Sequence, residues 1–321
     1  MSIKKIEMIN FRNHEDTAFD FSPGINIIWG ENGSGKTSII EAVHILSNGK
    51  SFKTNRLIET ITSNKKEAIV KAVFGDKNMV FHQTKKPSKK IKINNTEKST
   101  KDLVGKNPTV LVSPEEEKIT KGPHSERRRF FDRVFSNISK TYFNNLINYS
   151  TALKNRNTLL KQQKNKHEIE IWNNPLIKYG CQLWEERKLL HSKFNKNIEG
   201  VCGGYNKKVD ITVSLDCPND TSQNRFKNHL NEKLEKELFL GRTLSGPHLD
   251  KYTTNFNNKD LRVYGSQGEH KLTFLIFKIA EHGFIKNETG KKPTLLLDDL
   301  FSKLDLERGN AIFDLIKSSG Q

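Results

Sequence analysis

The sequence predicts an α/β fold whose head is split along the chain by an inserted helical arm. Three observations carry this. Near the N-terminus a short apolar run enters a glycine-rich loop that opens a helix. Near the C-terminus an apolar strand ends in two carboxylates. Between them, from roughly 115 to 238, apolar residues recur at helical spacing. The expected divisions are 1–114 for the N-terminal part of the head, 115–238 for the arm and 239–321 for the C-terminal part of the head.

The first element is Gly30-Glu31-Asn32-Gly33-Ser34-Gly35-Lys36-Thr37, followed by Ser38. It has the P-loop spacing: Gly, four residues, Gly-Lys, then Ser or Thr. Ile25, Ile27 and Ile28 read as a short buried strand before it. From Ser38 to Leu46 apolar residues recur at helical spacing. The motif therefore sits on a strand–loop–helix junction. Small residues there let backbone N–H groups face phosphate oxygens, and the helix adds its positive end. Residues 30–38 are the expected ATP-binding loop. Lys36 is expected to reach the β- and γ-phosphates, and Thr37 to place its hydroxyl on Mg²⁺.

In chain order, Ile3–Ile9 and Ala18–Phe21 read as strands. Gly49–Arg56 is a cation-rich loop. Ala68–Phe74, Met79–Gln83 and Ile91–Ile93 form an antiparallel region, with a lysine-rich turn over 85–90. Val110–Val112 is another short strand. A helical tract opens at Pro123–Arg129, and Phe131, Phe135, Ile138, Tyr142, Leu146, Tyr149, Leu153 and Leu160 lie on its apolar stripe. The polar stretch 162–168 is expected to turn the chain. A second helix is expected near Pro175 with Asn174 as its N-cap. Packing accounts for these stripes, which mark an antiparallel arm rather than a ligand site. Gly200–Gly204 ends it. Val209–Leu215 alternates as a strand, and Ser222–Leu238 is helical.

The C-terminal third holds the remaining chemistry. Ser266-Gln267-Gly268-Glu269 precedes an apolar helix over Leu272–Ala280. Thr294–Leu297 is a strand ending in Asp298 and Asp299, with Ser302–Asp305 after it. A strand ending in Asp is the Walker B arrangement. Asp298 is placed to hold Mg²⁺. Asp299 and Lys36 are the candidate catalytic residues, Asp299 as the group that orients or deprotonates the attacking water.

Composition narrows the partners. Lys and Arg number 54 against 37 Asp and Glu, giving a net charge of +17. This excess favours a polyanion, nucleic acid before an anionic membrane. Lys53, Arg56 and the 85–90 turn are the candidate contacts; a solvated charged loop explains the last equally well. Cys181, Cys202 and Cys217 form no C-x-x-C pair, which speaks against a disulfide framework or a zinc site. No signal peptide or bilayer-spanning apolar run stands out, so the chain reads as soluble and cytoplasmic.

Taken together, the P-loop, the Ser-x-Gly-Glu segment, the strand ending in Asp298 and the Ser302–Asp305 loop resemble the ATP-binding-cassette heads of SMC-type proteins. A more specific resemblance covers nearly the whole chain. It is carried by Asn10–Asn13, Gly49–Thr54, Ser113–Glu115, Gly122–Asp132, Tyr149–Lys161, Thr243–His248 and Leu296–Asp305. In these segments the chain is similar to the RecF family of bacterial DNA replication and repair proteins. The resemblance implies an ABC/SMC-type P-loop ATPase head that forms a homodimer on binding ATP. It implies binding to double-stranded DNA near gaps and single-/double-strand junctions, and partnership with RecO and RecR in loading RecA. It also implies that Ser266 and Gly268 cap the γ-phosphate held by the other subunit.

The chain departs from the family pattern in four places. Glu269 and Lys271 stand where Gln and Arg are usual. Leu249-Asp250-Lys251 replaces Arg-Asp-Asp. No Q-loop glutamine stands out. The pattern continues beyond Gln321 into a switch strand, so a missing C-terminal end and slow, DNA-dependent ATP hydrolysis are expected. Two other readings remain open at this level: an ATPase subunit of a transporter, and a DNA clamp gated by ATP without hydrolysis.

Overall fold

The computed structural model describes residues 3–86, 88–205 and 209–299; the Ser302–Asp305 loop lies outside them. The chain packs as two units. One comprises Met1–Glu117 and Phe274–Gln321, the other Lys118–Thr273.

In the first unit, β1 (Ile3–Phe11) buries Ile6 and Met8 on one face, and Phe11 as well after Asn10 takes a left-handed φ of +51°. The spacing of Ile6 and Met8 is the period-two alternation of a strand with one face in the core. β2 (His14–Asp20) follows after a tight turn, then α1 (Lys36–Asn48), β3 (Glu67–Phe74), β4 (Lys77–Thr84), β5 (Lys89–Ile93) and β6 (Thr96–Lys98). The strands form an antiparallel sheet of order β2-β1-β3-β4-β5-β6. Register pairs Ile6 with Ala72, and Val70 with Phe81. The buried sheet face and Ile39, Val43 and Leu46 of α1 share one core. Each large side chain there adds about 1.5–3 kcal/mol of burial, and Phe81→Ala should cost about 3–5 kcal/mol. α2 (Thr100–Leu103) starts at a Ser99/Asp102 capping box and leads to the buried β7 (Thr109–Val112).

One expected element is absent. Residues 25–30 join no sheet among the described residues, and Ile25, Ile27 and Trp29 are 47%, 80% and 88% exposed. An apolar run becomes a strand only where a neighbour takes its N–H and C=O groups. Here Asn26 ties the chain locally instead. It accepts from the Ser22 N–H at 2.9 Å and donates to the Ser22 carbonyl at 2.8 Å.

The second unit opens with α3 (Lys118–Lys121), α4 (His124–Ile138) and α5 (Lys140–Lys161). The stripe read as one continuous tract is therefore interrupted. Ser139 is extended, and its hydroxyl caps the new helix by accepting from the Tyr142 N–H at 3.0 Å. Phe131, Phe135, Tyr142, Tyr149 and Leu160 are buried all the same, while Ile138, Leu146 and Leu153 are only partly covered. The polar turn contains a short helix, α6 (Lys166–Glu170), capped by Asn165. α7 (Asn173–Gly203) begins after Trp172 rather than Asn174. Pro175 is tolerated because it falls in the first turn, where an N–H has no helical partner.

β8 (Ile211–Asp216) is followed by α8 (Gln223–Leu240), of which Ser222 is the N-cap rather than the first helical residue. Then come β9 (Lys251–Phe256), β10 (Lys259–Asp260), α9 (Leu261–Tyr264) and the start of α10 (Gln267–Thr289). β8 pairs with β9 from Ile211↔Phe256 to Asp216↔Lys251. This pairing draws 239–273, assigned from sequence to the head, into the unit that holds the arm, so the boundary expected at 238 moves to Thr273. The chain returns to the first unit within α10. It ends its described part in β11 (Thr294–Leu297), parallel to β7 with Thr294 opposite Thr109. No described helix is long and apolar enough to cross a membrane.

Two of the sequence segments that carry the resemblance meet inside the second unit. The Tyr149 hydroxyl donates to Nδ1 of His248 at 2.6 Å, and Arg156 donates to the Thr243 hydroxyl at 2.8 Å. Arg187 is buried between Asp132 and Asp250, donating to the Asp132 carboxylate at 2.8 Å. The charge of Asp250 is thus spent internally, on Arg187 and on the Trp184 indole N–H at 3.0 Å.

Candidate functional site

The site lies in the first unit, where the loop before α1 faces the end of β11. An open cleft of about 820 Å³ is lined by Asn32, Gly33, Lys36, Thr37, Asp298 and Asp299 among others. Gly35, Ser38, Arg12, Asn13, Lys53 and Glu115 complete most of its wall.

The loop owes its shape to glycine at two points. Gly33 and Gly35 have φ of +85° and +94°, a region that side chains disfavour. Gly35 is also the N-cap of α1, so helix and loop meet at a left-handed residue. From there Lys36 turns back across the loop. Its ammonium donates to the carbonyls of Gly30 and Glu31 at 2.8 and 2.7 Å. The next residue, Thr37, donates its hydroxyl to Asp298 Oδ1 at 3.0 Å. These two residues are 261 positions apart in sequence.

Asp298 still follows the ladder, its N–H donating to the Val112 carbonyl at 2.8 Å. The strand then ends, and Asp299 takes a left-handed φ of +52°. That turn lets two adjacent carboxylates line one cleft, which a continuing strand would forbid. Burial pushes the Asp298 carboxyl above its ordinary range; the Thr37 hydrogen bond and nearby Lys53 pull the other way. Ser266 and Gly268 belong to the second unit. There Ser266 and Glu269 form a capping box at the start of α10: the Glu269 carboxylate accepts from the Ser266 N–H at 2.7 Å and the Ser266 hydroxyl from the Glu269 N–H at 3.3 Å.

A family comparison decides what kind of protein presents this cleft. Residues 2–321 match the family described as RecF/RecN/SMC N terminal domain. The chain is 36% identical to the DNA replication and repair protein RecF of Clostridium novyi (strain NT), over 99% of this chain and 91% of that protein. It is 35% identical to the protein of the same name from Alkaliphilus oremlandii (strain OhILAs), with the same coverage. The chain belongs to the RecF family. Among solved structures, one described as the recombination mediator protein RecF-ATPrS in the RecFOR pathway superposes with a TM-score of 0.89 at 31% identity, over 98% of this chain and 90% of that one. An Smc head bound to the C-winged helix domain of ScpA superposes at 0.57 and 18% identity, over 99% of this chain and 86% of that one, a likeness of fold alone.

For a RecF-family head, several wall residues carry no flag in the sequence. Arg12 forms a two-pronged pair with the buried Glu41 of α1, at 2.8 and 2.7 Å, and donates to the Glu59 carbonyl at 2.9 Å. Asn13 donates to the Gly33 carbonyl at 2.9 Å. Lys53, a sequence candidate for DNA contact, stands on the cleft wall. The Asn10–Asn13 segment stood out beforehand only as part of the resemblance, and nothing in it announces partners 20 to 47 residues away.

Proposed function

We propose that this RecF-family chain binds ATP with Mg²⁺ in this cleft, dimerises on it and then holds duplex DNA near single-strand gaps, where it helps RecO and RecR load RecA. The observation that carries the reading is the meeting of Thr37 with Asp298 at 3.0 Å. Mg²⁺ needs few protein ligands, because it keeps waters and takes phosphate oxygens. One hydroxyl and one carboxylate at a phosphate-binding loop fit that demand. Bound ATP·Mg²⁺ would supply the phosphoryl group and the ion.

The chain's own residues would do the rest. The N–H groups of Gly33, Gly35, Lys36 and Thr37 hold phosphate oxygens. Lys36 leaves the Gly30 and Glu31 carbonyls for the phosphates. Thr37 and Asp298 hold the ion, and Asp299 orients or deprotonates water. Ser266 and Gly268, at a helix N-terminus where backbone donors lack helical acceptors, cap the nucleotide of a second copy. A similar solved structure, described as RecF-ATP in the RecFOR pathway, supports the nucleotide, and the family name supports the setting.

Duplex DNA is supported by the net charge of +17 and by the exposed face of the sheet. There register sets Lys71, Val80 and Lys92 in one row and Ile69, His82 and Lys90 in the next. Contact through phosphates predicts a steep salt dependence, about 0.9 in log–log slope per phosphate neutralised. The test is the molar mass in solution, first alone, then with ATP and Mg²⁺, then with gapped duplex added. The reading expects doubling with ATP, no doubling in Ser266→Arg, and DNA uptake by the dimer. A chain that stays monomeric with saturating ATP bound would overturn the dimer, and DNA binding indifferent to salt would overturn the phosphate contact.

A further inference from the structure

A phosphate-binding loop works only if its peptide planes are held with N–H groups inward, and something must grip the opposite, carbonyl side of those planes. In this chain the β1–β2 turn does so. The Asn13 side-chain amide donates to the Gly33 carbonyl at 2.9 Å, and its Oδ1 accepts from the Ser38 hydroxyl at 3.3 Å. His14, 7% exposed, places Nε2 3.2 Å from the Gly35 carbonyl. A carbonyl only accepts, so Nε2 carries the proton. In the neutral ring Nδ1 then accepts from the Thr17 hydroxyl at 3.3 Å. The Gly35 carbonyl already takes the first α1 bonds, from Ser38 and Ile39 N–H at 2.9 and 3.2 Å. The imidazole adds a third donor from the side.

Contact is close as well as polar. A Cβ on Gly35 would strike His14 Nε2 and come within 2.7 and 2.8 Å of the Asn13 amide atoms. The turn itself is anchored. Arg12, with a left-handed φ of +57°, is tied by two bonds to Glu41 of α1, and its N–H donates to the Thr60 carbonyl at 2.7 Å. The edge of the His14 ring meets Phe19, with 6.2 Å between ring centroids.

We propose that Asn13 and His14 are positioning residues for nucleotide binding: His14 holds the Gly35 carbonyl so that the Lys36 N–H of the same peptide stays turned toward a phosphate, and Asn13 holds the Gly33 carbonyl so that the turn closed by the Ser34 N–H on the Glu31 carbonyl at 3.2 Å keeps the loop's shape. This rests on the ATP reading above. Because the grip acts through the loop backbone, losing it weakens ATP and ADP alike and leaves the chemical step alone.

The experiment is calorimetric titration of MgATP and of MgADP into the parent chain, Asn13→Asp, Asn13→Ala, His14→Phe and His14→Gln, with steady-state kcat measured beside it. Asn13→Asp keeps the size and an acceptor for Ser38 but sets an oxygen against the Gly33 carbonyl. His14→Phe keeps the ring beside Phe19 and removes the donor, and His14→Gln restores an N–H. One lost hydrogen bond corresponds to about three- to tenfold in affinity. That loss is expected in Asn13→Asp, Asn13→Ala and His14→Phe, equal for both nucleotides and with kcat unchanged, while His14→Gln recovers most of it. Affinities like the parent's in these variants, a loss confined to ATP, a fall in kcat instead, or His14→Gln as weak as His14→Phe would each overturn the proposal. Two substitutions at each position keep the test open if one variant folds poorly. A parent chain that binds no ATP sinks the underlying reading; a parent that binds while the variants are unaffected sinks this inference alone.

Discussion

The cleft around Lys36 and the network around Arg187 both set a cation among oxygen acceptors, yet they differ in what those acceptors are for. Lys36 is half-exposed, and its partners are two loop carbonyls at 2.8 and 2.7 Å that water can also serve. It can leave them for a phosphate at little cost. Arg187 is 1% exposed and donates to the Pro247 carbonyl at 2.8 Å, the Asp132 carboxylate at 2.8 Å and the Tyr142 hydroxyl at 3.2 Å, besides Asp250. Were it to leave, the buried Asp250 carboxylate would lose its ion-pair partner. The lesson is that a charged motif in the sequence announces function only where burial leaves its partners exchangeable. Gly122–Asp132 and Thr243–His248 carry the resemblance as firmly as the P-loop does, and Arg127, Phe130, Phe131, Thr243 and Ser245 among them are buried in the second unit.

The sharpest way to break this comparison is Arg187→Met. It strands Asp132 and Asp250 and should destabilise the chain by about 3–5 kcal/mol in chemical denaturation. Lys36→Ala, by contrast, should keep the unliganded stability within about 0.5 kcal/mol, as for a surface change. If the two variants unfold alike, the distinction fails.

Next in size is Asp298→Ala. Ion-dependent binding should disappear, so that ATP affinity no longer responds to Mg²⁺; a retained Mg²⁺ response in the calorimeter would place the ion elsewhere. Asp299→Asn should bind ATP as the parent does and lose phosphate release, and parent-like release would remove it from the reaction.

Acid should act more gradually, through buried histidines in both units. Burial pushes His191, His248 and His282 down to about 4. The unfolded chain then takes up protons near pH 6.5 that the folded chain refuses. Stability therefore rises with pH between about 4 and 6.5 and is lost as pH falls through that window. A melting temperature flat from pH 7 to pH 5 would contradict this burial. The smallest effect belongs to Lys166→Ala. Its partner Glu235 lies at 2.7 Å, but both side chains are mostly exposed, so no measurable change in melting is expected.

Much of this was legible beforehand where the signal is local. α1 was legible in its apolar spacing, and the end of β11 in the paired carboxylates. Features set by distant partners were not. Ile25, Ile27 and Ile28 have strand composition, but a strand requires a neighbour, and among the described residues none stands beside them. The break at Ser139 hides in a stripe that stays apolar through it. Residues 239–273 look like a return to the head until β8 and β9 pair. In the site, Lys36, Thr37, Asp298 and Asp299 were readable from spacing alone, whereas Asn13, His14 and Lys53 reach the cleft through turns whose geometry no periodicity records.

The central claim is that this cleft is a nucleotide site in which Lys36 gives up two carbonyls for phosphate. Its most direct test is a calorimetric titration of MgATP into the parent chain and into Lys36→Ala, both shown by melting to be folded. The account predicts saturable one-site binding to the parent and loss of at least about a hundredfold in the variant, since a methyl group replaces a phosphate-bound cation. Equal affinity in the two chains would contradict it.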